Sequence, residues 1–305
     1  MTNKGYIKRT TSDTFKAQKR GGRGIKGMTT NDEDFVEEII NISSHDHVLF
    51  FTNKGKVYRI KGYEIPEFNR QSKGLPIINL IPIEKDETIS SILGISSKED
   101  TKYLLFATKQ GLVKKTSIEE FANIRTSGKI CINLKENDEL IAVKRTNGNN
   151  YILLGSETGR MVKFHEDKIR AMGRTASGDK GINLDGSKCV CAEVVDEDNK
   201  ILLVTEKGYG KKTLVSDFRE TSRGSKGVKA LNITEKNGNI AAVKVVDENK
   251  ELVIMTNTGT TMRMTLDQIN TLGRVTQGVR LIHLKDEQYV TTISLVEKEE
   301  SENIE

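Results

Sequence analysis

One pattern occurs six times along this chain at a spacing of about 50 residues, and no other feature restricts the fold as strongly. Each copy has a turn glycine, an apolar residue ten positions later, a second glycine, and then a short apolar stretch with Asn usually near its middle. The first glycines are Gly5, Gly55, Gly111, Gly159, Gly208 and Gly259. The second are Gly24, Gly74, Gly128, Gly178, Gly227 and Gly278. The apolar residues between them are Phe15, Ile65, Phe121, Ile169, Phe218 and Ile269. A period of this length means like units in a ring or a stack, each too small to bury its own apolar face.

Within a copy, an apolar run precedes the first glycine: Val48–Phe51, Tyr103–Phe106, Tyr151–Leu154, Ile201–Val204 and Leu252–Met255. Runs this short, ended by turn residues, predict strands buried on both faces. The glycine supplies the positive φ that closes a hairpin. Return strands such as Val57–Ile60 and Met161–Phe164 alternate apolar with basic or polar residues, which predicts one core face and one solvated, positive face. The second glycine is expected to open a third strand (77–80, 131–134, 181–184, 230–233 and 281–284), and a fourth follows, such as 240–243. Nothing in the repeats has a long helical period. The expectation is an all-β radial array of six four-stranded blades, spanning 1–296. The first copy departs from the rest, because only Met1-Thr2 stands where its apolar strand should be. The chain has no Trp, against the Trp-Asp signature of many protein-binding propellers, and its one Gly-Gly pair, Gly21-Gly22, is too few for kelch units.

The formal net charge of +5 is unevenly spread. Residues 297–305 hold five Glu and one Lys and read as an acidic flexible tail. Residues 4–27 carry eight cations against Asp13. Such a balance suits a polyanionic partner. Cations also recur in register. Arg20, Arg70, Arg174, Arg223 and Arg274 stand four residues before the second glycine, and Arg125 three before in the shortened third copy. The same loops add Lys26, Lys73, Lys129, Lys180, Lys226, Lys229 and Arg280. The hairpins add Lys54, Lys56, Arg59, Lys109, Lys114, Lys115, Arg160, Lys163, Lys207, Lys211, Lys212 and Arg263. A charge at one place in every blade is a ring of charge on one rim, suited to the phosphates of duplex DNA, whose contacts are blind to sequence. The bland alternative is that each arginine bonds carbonyls of a neighbouring blade and staples the ring. Aromatics make up only 5% of the chain, too few for the stacking platforms of a single-strand binder.

One motif is unique. Gln18-Lys19-Arg20-Gly21-Gly22-Arg23-Gly24 interleaves three cations with three glycines, so that backbone N–H groups can approach phosphate oxygens closely. This heptapeptide resembles the "gyrase A box", and about residues 2–296 resemble the C-terminal domain of the A subunit of bacterial DNA gyrase. The resemblance implies a six-bladed pinwheel with hairpins exchanged between blades, which wraps duplex DNA around its rim so that the enzyme can introduce negative supercoils. It implies that the box, Gln18 to Gly24, is required for wrapping. It places the catalytic tyrosine and the ATP- and Mg2+-dependent steps elsewhere in the enzyme. The implied partners are DNA, the gyrase A breakage-reunion domain and gyrase B. This chain would then be non-catalytic and free of cofactors.

Other motifs carry less. Gly22-Arg23-Gly24-Ile25-Lys26-Gly27 fits a dinucleotide fingerprint but lacks the flanking strand and helix that motif needs. Cys131, Cys189 and Cys191, an odd number, fit a reducing cytosol and offer no zinc set. His45-Asp46-His47 reads as an inter-blade turn, and His283 sits in the Asn slot of its repeat. No apolar run is long enough for a membrane helix and no secretory leader is visible, so a cytoplasmic location is expected. Three competing readings are the corresponding domain of topoisomerase IV, which has fewer and more degenerate blades, a protein-interaction propeller, which would show apolar rim patches, and a propeller enzyme, which would need recurring polar groups at the channel.

Overall fold

The computed structural model describes residues 1–11, 34–69, 72–96 and 100–298. The fold is an all-β propeller. Its unit is clearest in the second copy. The apolar strand His47–Thr52 turns at Gly55 into Lys56–Lys61, and Ile89–Ile95 pairs on the other edge of the first strand. Gly55 has φ +77°, and a Cβ there would lie 2.7 Å from the carbonyl oxygen of Ile132. The turn glycine is therefore required twice, by its backbone angle and by the close approach of the next copy.

The fourth strand of each four-stranded blade is borrowed. Lys129–Ile130, from the third copy, pairs with Lys56–Val57 of the second. In the same way Asp179–Lys180 pairs with Leu112–Val113, Val228–Lys229 with Arg160–Met161, and Val279–Arg280 with Tyr209–Gly210. Each borrowed strand has two residues and lies directly after its second glycine. The expected strands at 77–80, 131–134, 181–184, 230–233 and 281–284 are not strands. Their apolar residues fill the space beside the preceding copy's turn rather than extending a ladder. The N–H groups of Ile77, Cys131, Gly181, Ala230 and Leu281 donate to the carbonyls of Gly5, Gly55, Gly111, Gly159 and Gly208 at 2.8–2.9 Å.

Six full blades were expected from the six copies; the described residues form five. Four have four strands each. The sixth copy's blade has three: Lys250–Thr256, Thr261–Thr265 and Val290–Glu297. Among the described residues the first copy, lacking its apolar strand, contributes Tyr6–Ile7, paired with Leu75–Pro76, and two isolated bridges, Thr2 to Val36 and Arg9 to Glu67. It nonetheless touches the far end of the repeat, where Ser294 Oγ donates to Glu37 Oε1 at 3.1 Å.

The core lies between blades. Leu49 and Phe51 of the second copy pack with Leu104, Phe106 and Phe121 of the third. Rings of Phe51 and Phe106 meet edge to face at 5.7 Å. Every described apolar anchor (Ile65, Phe121, Ile169, Phe218 and Ile269) is buried in such a layer. At about 1.5–3 kcal/mol per buried apolar side chain, one layer outweighs anything a lone blade could bury.

Candidate nucleic-acid interface

The loop that carries the recurring arginine is fixed from two sides. Its second glycine takes φ values of +69° to +92° in the described copies, because the loop turns tightly over the preceding hairpin. At Gly178 and Gly227 a Cβ would fall 2.6 and 2.0 Å from the carbonyl oxygens of Val113 and Met161. On the other side, the guanidinium reaches the borrowed strand of the copy before. Nη1 of Arg174 donates to the carbonyl of Ile130 at 3.0 Å, that of Arg223 to Lys180 at 2.7 Å, and that of Arg274 to Lys229 at 2.5 Å. The acceptor is the second residue of the borrowed strand each time. Arg223 also donates through Nε to Lys168.

Of the two roles open to these arginines, the staple therefore describes how their guanidiniums are held. It does not exhaust them. A guanidinium has five N–H donors, and these bonds use one or two. All three arginines are only half-buried. Among the other loop cations, Arg125, Lys180, Lys226 and Arg280 are exposed, and Lys73 and Lys129 half-exposed. Lys73 lies over the Tyr6 ring at 4.3 Å, and Arg280 over the Tyr209 ring at 5.3 Å, so both cations are oriented by aromatic faces. Lys129 Nζ donates to the Asn123 carbonyl. Lys226 forms an exposed ion pair with Asp185 at 2.7 Å. The box Gln18–Gly24, with Lys26 and Arg70, lies outside the described residues, as do the fingerprint-like Gly22–Gly27 and the tail from 299 onward. Glu297 is the last residue of a strand.

The hairpin cations have a different fate, and the expected solvated positive face is corrected. Lys114 and Lys211 are 0% exposed, and Lys115, Lys163 and Lys212 are buried too. The next copy's loop covers the face that alternation marked as solvated. Lys115 pairs with the fully buried Glu166 at 3.6 Å, Lys163 with Glu197 at 2.7 Å, and Lys212 with Glu248 at 3.0 Å. The exposed Lys54 and Arg263 and the half-exposed Lys56 and Lys109 are neutralised, Lys54 by Asp86, Lys56 by Glu84, Lys109 by Glu139 and Arg263 by Glu251. Arg59, Arg160 and Lys207 donate to the carbonyls of Ala122, Gly227 and Glu235.

A cleft beside Arg223 adds two cations that the repeat pattern of charge did not single out, Lys168 and Arg219. A signal for one existed: Arg170 and Arg219 both stand eleven residues after the first glycine of their copies, as Lys16 does. Other chemistry is not assembled. The described residues contain no group of three His, Cys, Asp or Glu placed to hold a metal. The three thiols are buried, and burial pushes Cys131 and Cys189 up to about 12.

The sequence matches the family described as "DNA gyrase C-terminal domain, beta-propeller" in six segments, residues 1–43, 46–96, 102–147, 150–196, 199–247 and 250–297. This chain belongs to that family. It is 49% identical to the A subunit of DNA gyrase from Staphylococcus epidermidis over 304 residues, covering 98% of this chain and 34% of that protein. It is 46% identical to the A subunit of DNA gyrase from Staphylococcus aureus over 307 residues, covering 99% and 34%. The chain thus spans about a third of the length of these relatives. Among solved structures, the C-terminal domain of DNA topoisomerase IV superposes with a TM-score of 0.85 at 28% identity, covering 97% of this chain and 91% of that one. The DNA gyrase A C-terminal domain superposes with a TM-score of 0.71 at 26% identity, covering 97% and 98%. The far higher identity to the gyrase A proteins places the chain with gyrase rather than topoisomerase IV. Among the described residues no helix is long and apolar enough to cross a membrane.

Proposed function

We propose that this chain binds duplex DNA along the rim formed by its second-glycine loops and bends it into a chiral wrap, as the DNA-wrapping part of a gyrase. The observation that carries the reading is the thrice-repeated tether of Arg174, Arg223 and Arg274, which presents a partly free guanidinium at the same station of successive blades. Regular spacing is what a sequence-blind path of phosphates demands. Bending 20–30 base pairs by 40–90° costs about 1–6 kcal/mol, so contacts must be spread along the path rather than gathered at one point. The chain itself performs no chemistry in this reading. Strand cleavage and ATP use belong to the breakage-reunion domain and to gyrase B, and the assembly works in the cytoplasm. The box, Gln18 to Gly24, supplies further contacts to the same DNA, and the acidic residues after the last strand act as an anionic tail.

The test is duplex binding followed across salt. With roughly 8–12 phosphates neutralised, log K should fall against log salt with a slope of about −7 to −11, whatever the sequence. Ligation of nicked circles wrapped by the chain should trap positive writhe. A slope near −2, or marked preference for one sequence, overturns the proposal.

A further inference from the structure

The buried hairpin lysines have a pattern of their own. Three residues after the first glycine, the copies carry Lys8, Tyr58, Lys114, Val162, Lys211 and Met262 in turn. Lysine stands in every other copy. Each lysine reaches forward into the next copy's loop. Lys8 Nζ donates to the carbonyls of Asn69 and Ser72 at 3.1 and 3.0 Å. Lys114 Nζ donates to those of Gly173 and Arg174 at 3.0 and 2.8 Å, and to Cys131 at 2.6 Å. Lys211 Nζ donates to Gly273 and Arg274, both at 2.9 Å, and to Thr276 through its carbonyl and hydroxyl. Two of these acceptors are the main-chain carbonyls of the rim arginines themselves. No lysine lies beneath the Arg223 loop, because Val162 fills that slot.

Building on the functional reading above, we propose that Lys114 and Lys211 are positioning residues for DNA: each clasps the backbone of the next copy's arginine loop, fixing Arg174 and Arg274 in the shape that meets phosphate at alternate stations of the rim. An ammonium suits this task because it has three donors and no acceptor, and each nest supplies three or more oxygens. The slot tolerates an apolar side chain, as Val162 and Met262 show, so packing alone does not account for the lysines.

The clasp is sensitive to pH. Burial pulls both lysines down to about 8. Around Lys114 stand Glu120, Arg174, the Cys131 thiol and, at 5.0 Å, the Phe106 ring. Around Lys211 stand Arg274 and Asp217. Exposed lysines keep their charge to about pH 10. Between pH 8 and that range the unfolded chain binds more protons than the folded one, so these two lysines favour folding as pH rises. Weaker DNA binding in that window is therefore not unfolding caused by them.

Duplex affinity of the unaltered chain should drop about threefold to tenfold between pH 7 and pH 9, the scale of losing charge-assisted bonds at two loops. The double variant Lys114→Met, Lys211→Met should show that loss already at pH 7 and little further change to pH 9. Hydrogen exchange in the unaltered chain supplies a second reading that needs no variant. Protection of residues 173–176 and 273–276 should fall from pH 7 to 9, after correction for intrinsic rates, while that of 221–225 should not. A variant that binds like the unaltered chain with the same pH profile overturns the clasp and leaves the functional reading standing. So does equal loss of protection in all three loops. Absence of duplex binding by the unaltered chain overturns both.

Discussion

Arg174 and Lys163 belong to the same copy and carry the same charge, yet the fold treats them oppositely. Arg174 sits half-exposed on a loop, tethered through one edge of its guanidinium. Lys163 is 4% exposed on the return strand and paired with Glu197. The difference holds throughout the described copies. The loop arginines Arg174, Arg223 and Arg274 are oriented and keep donors to spare, although the loop lysines Lys129 and Lys226 are bonded to a carbonyl and a carboxylate; hairpin cations are buried, bonded to carbonyls or neutralised by carboxylates. A count of positive charge along the repeats therefore overstates the DNA-binding surface. What separates the buried hairpin lysines from the loop arginines is whether the next copy covers them.

The sharpest test of that contrast is the first copy's loop, which carries the densest cations. Replacing Gln18–Gly24 with alanines should abolish ATP-dependent supercoiling by reconstituted enzyme, on the order of a hundredfold or more by analogy with the loss of several charge-assisted contacts at once, while DNA cleavage persists. Supercoiling that survives would remove the loops from the central role. On the hairpin side, Lys115→Ala strands the carboxylate of Glu166, which is 0% exposed and otherwise held by Thr146 Oγ1 and the Asn150 N–H. Stability should fall by about 3–5 kcal/mol in denaturant melts, with the salt slope of DNA binding unchanged in the folded protein. A changed slope with unchanged stability would place Lys115 on the binding surface and break the contrast.

A finer comparison sets Arg174→Gln, Arg223→Gln and Arg274→Gln together against Lys54→Gln, Lys109→Gln and Lys207→Gln. The loop set should lower the magnitude of the salt slope by about 2–3, near 0.9 for each phosphate no longer neutralised, and the hairpin set by less than about 1. Equal changes would mean that the carboxylate partners give way to phosphate. The smallest effect expected is at the acidic end. Removing residues 299–305 should tighten binding about twofold at low ionic strength, and the gain should vanish near 0.15 M, where screening acts within about 8 Å. Identical binding curves at low salt would make the tail a bystander.

Much of this architecture could be read from the sequence because repetition multiplies weak signals. One Phe121 is an apolar residue in a loop; five buried equivalents are a layer between blades. One Arg174 is a surface charge; its equivalents at the same distance from a glycine mark a rim. The signals that failed are those a single copy cannot contain. Ile132-Asn133-Leu134 looks like a strand because it alternates, but its place is set by Gly55 of the previous copy, and only Lys129–Ile130 enters a ladder. Lys114 and Lys211 look solvated because the loop that buries them arrives some sixty residues later. The count of six blades fails for a related reason: the first copy repeats the glycines and the anchor, but not the strand on which a four-stranded sheet is built.

The borrowed strands also bear on how the protein is made. A blade cannot close its outer edge until most of the following copy has left the ribosome, so each nascent blade waits about one repeat with an open edge. At about 5–20 residues per second that wait is on the order of several seconds, long compared with hairpin formation. An open β edge is a template for pairing with another chain. The exposure moves along the polypeptide one station at a time, because each newly finished copy seals the one before it. Truncation at a copy boundary would do more than remove one unit: it would leave the preceding blade three-stranded, as the sixth copy's blade is among the described residues.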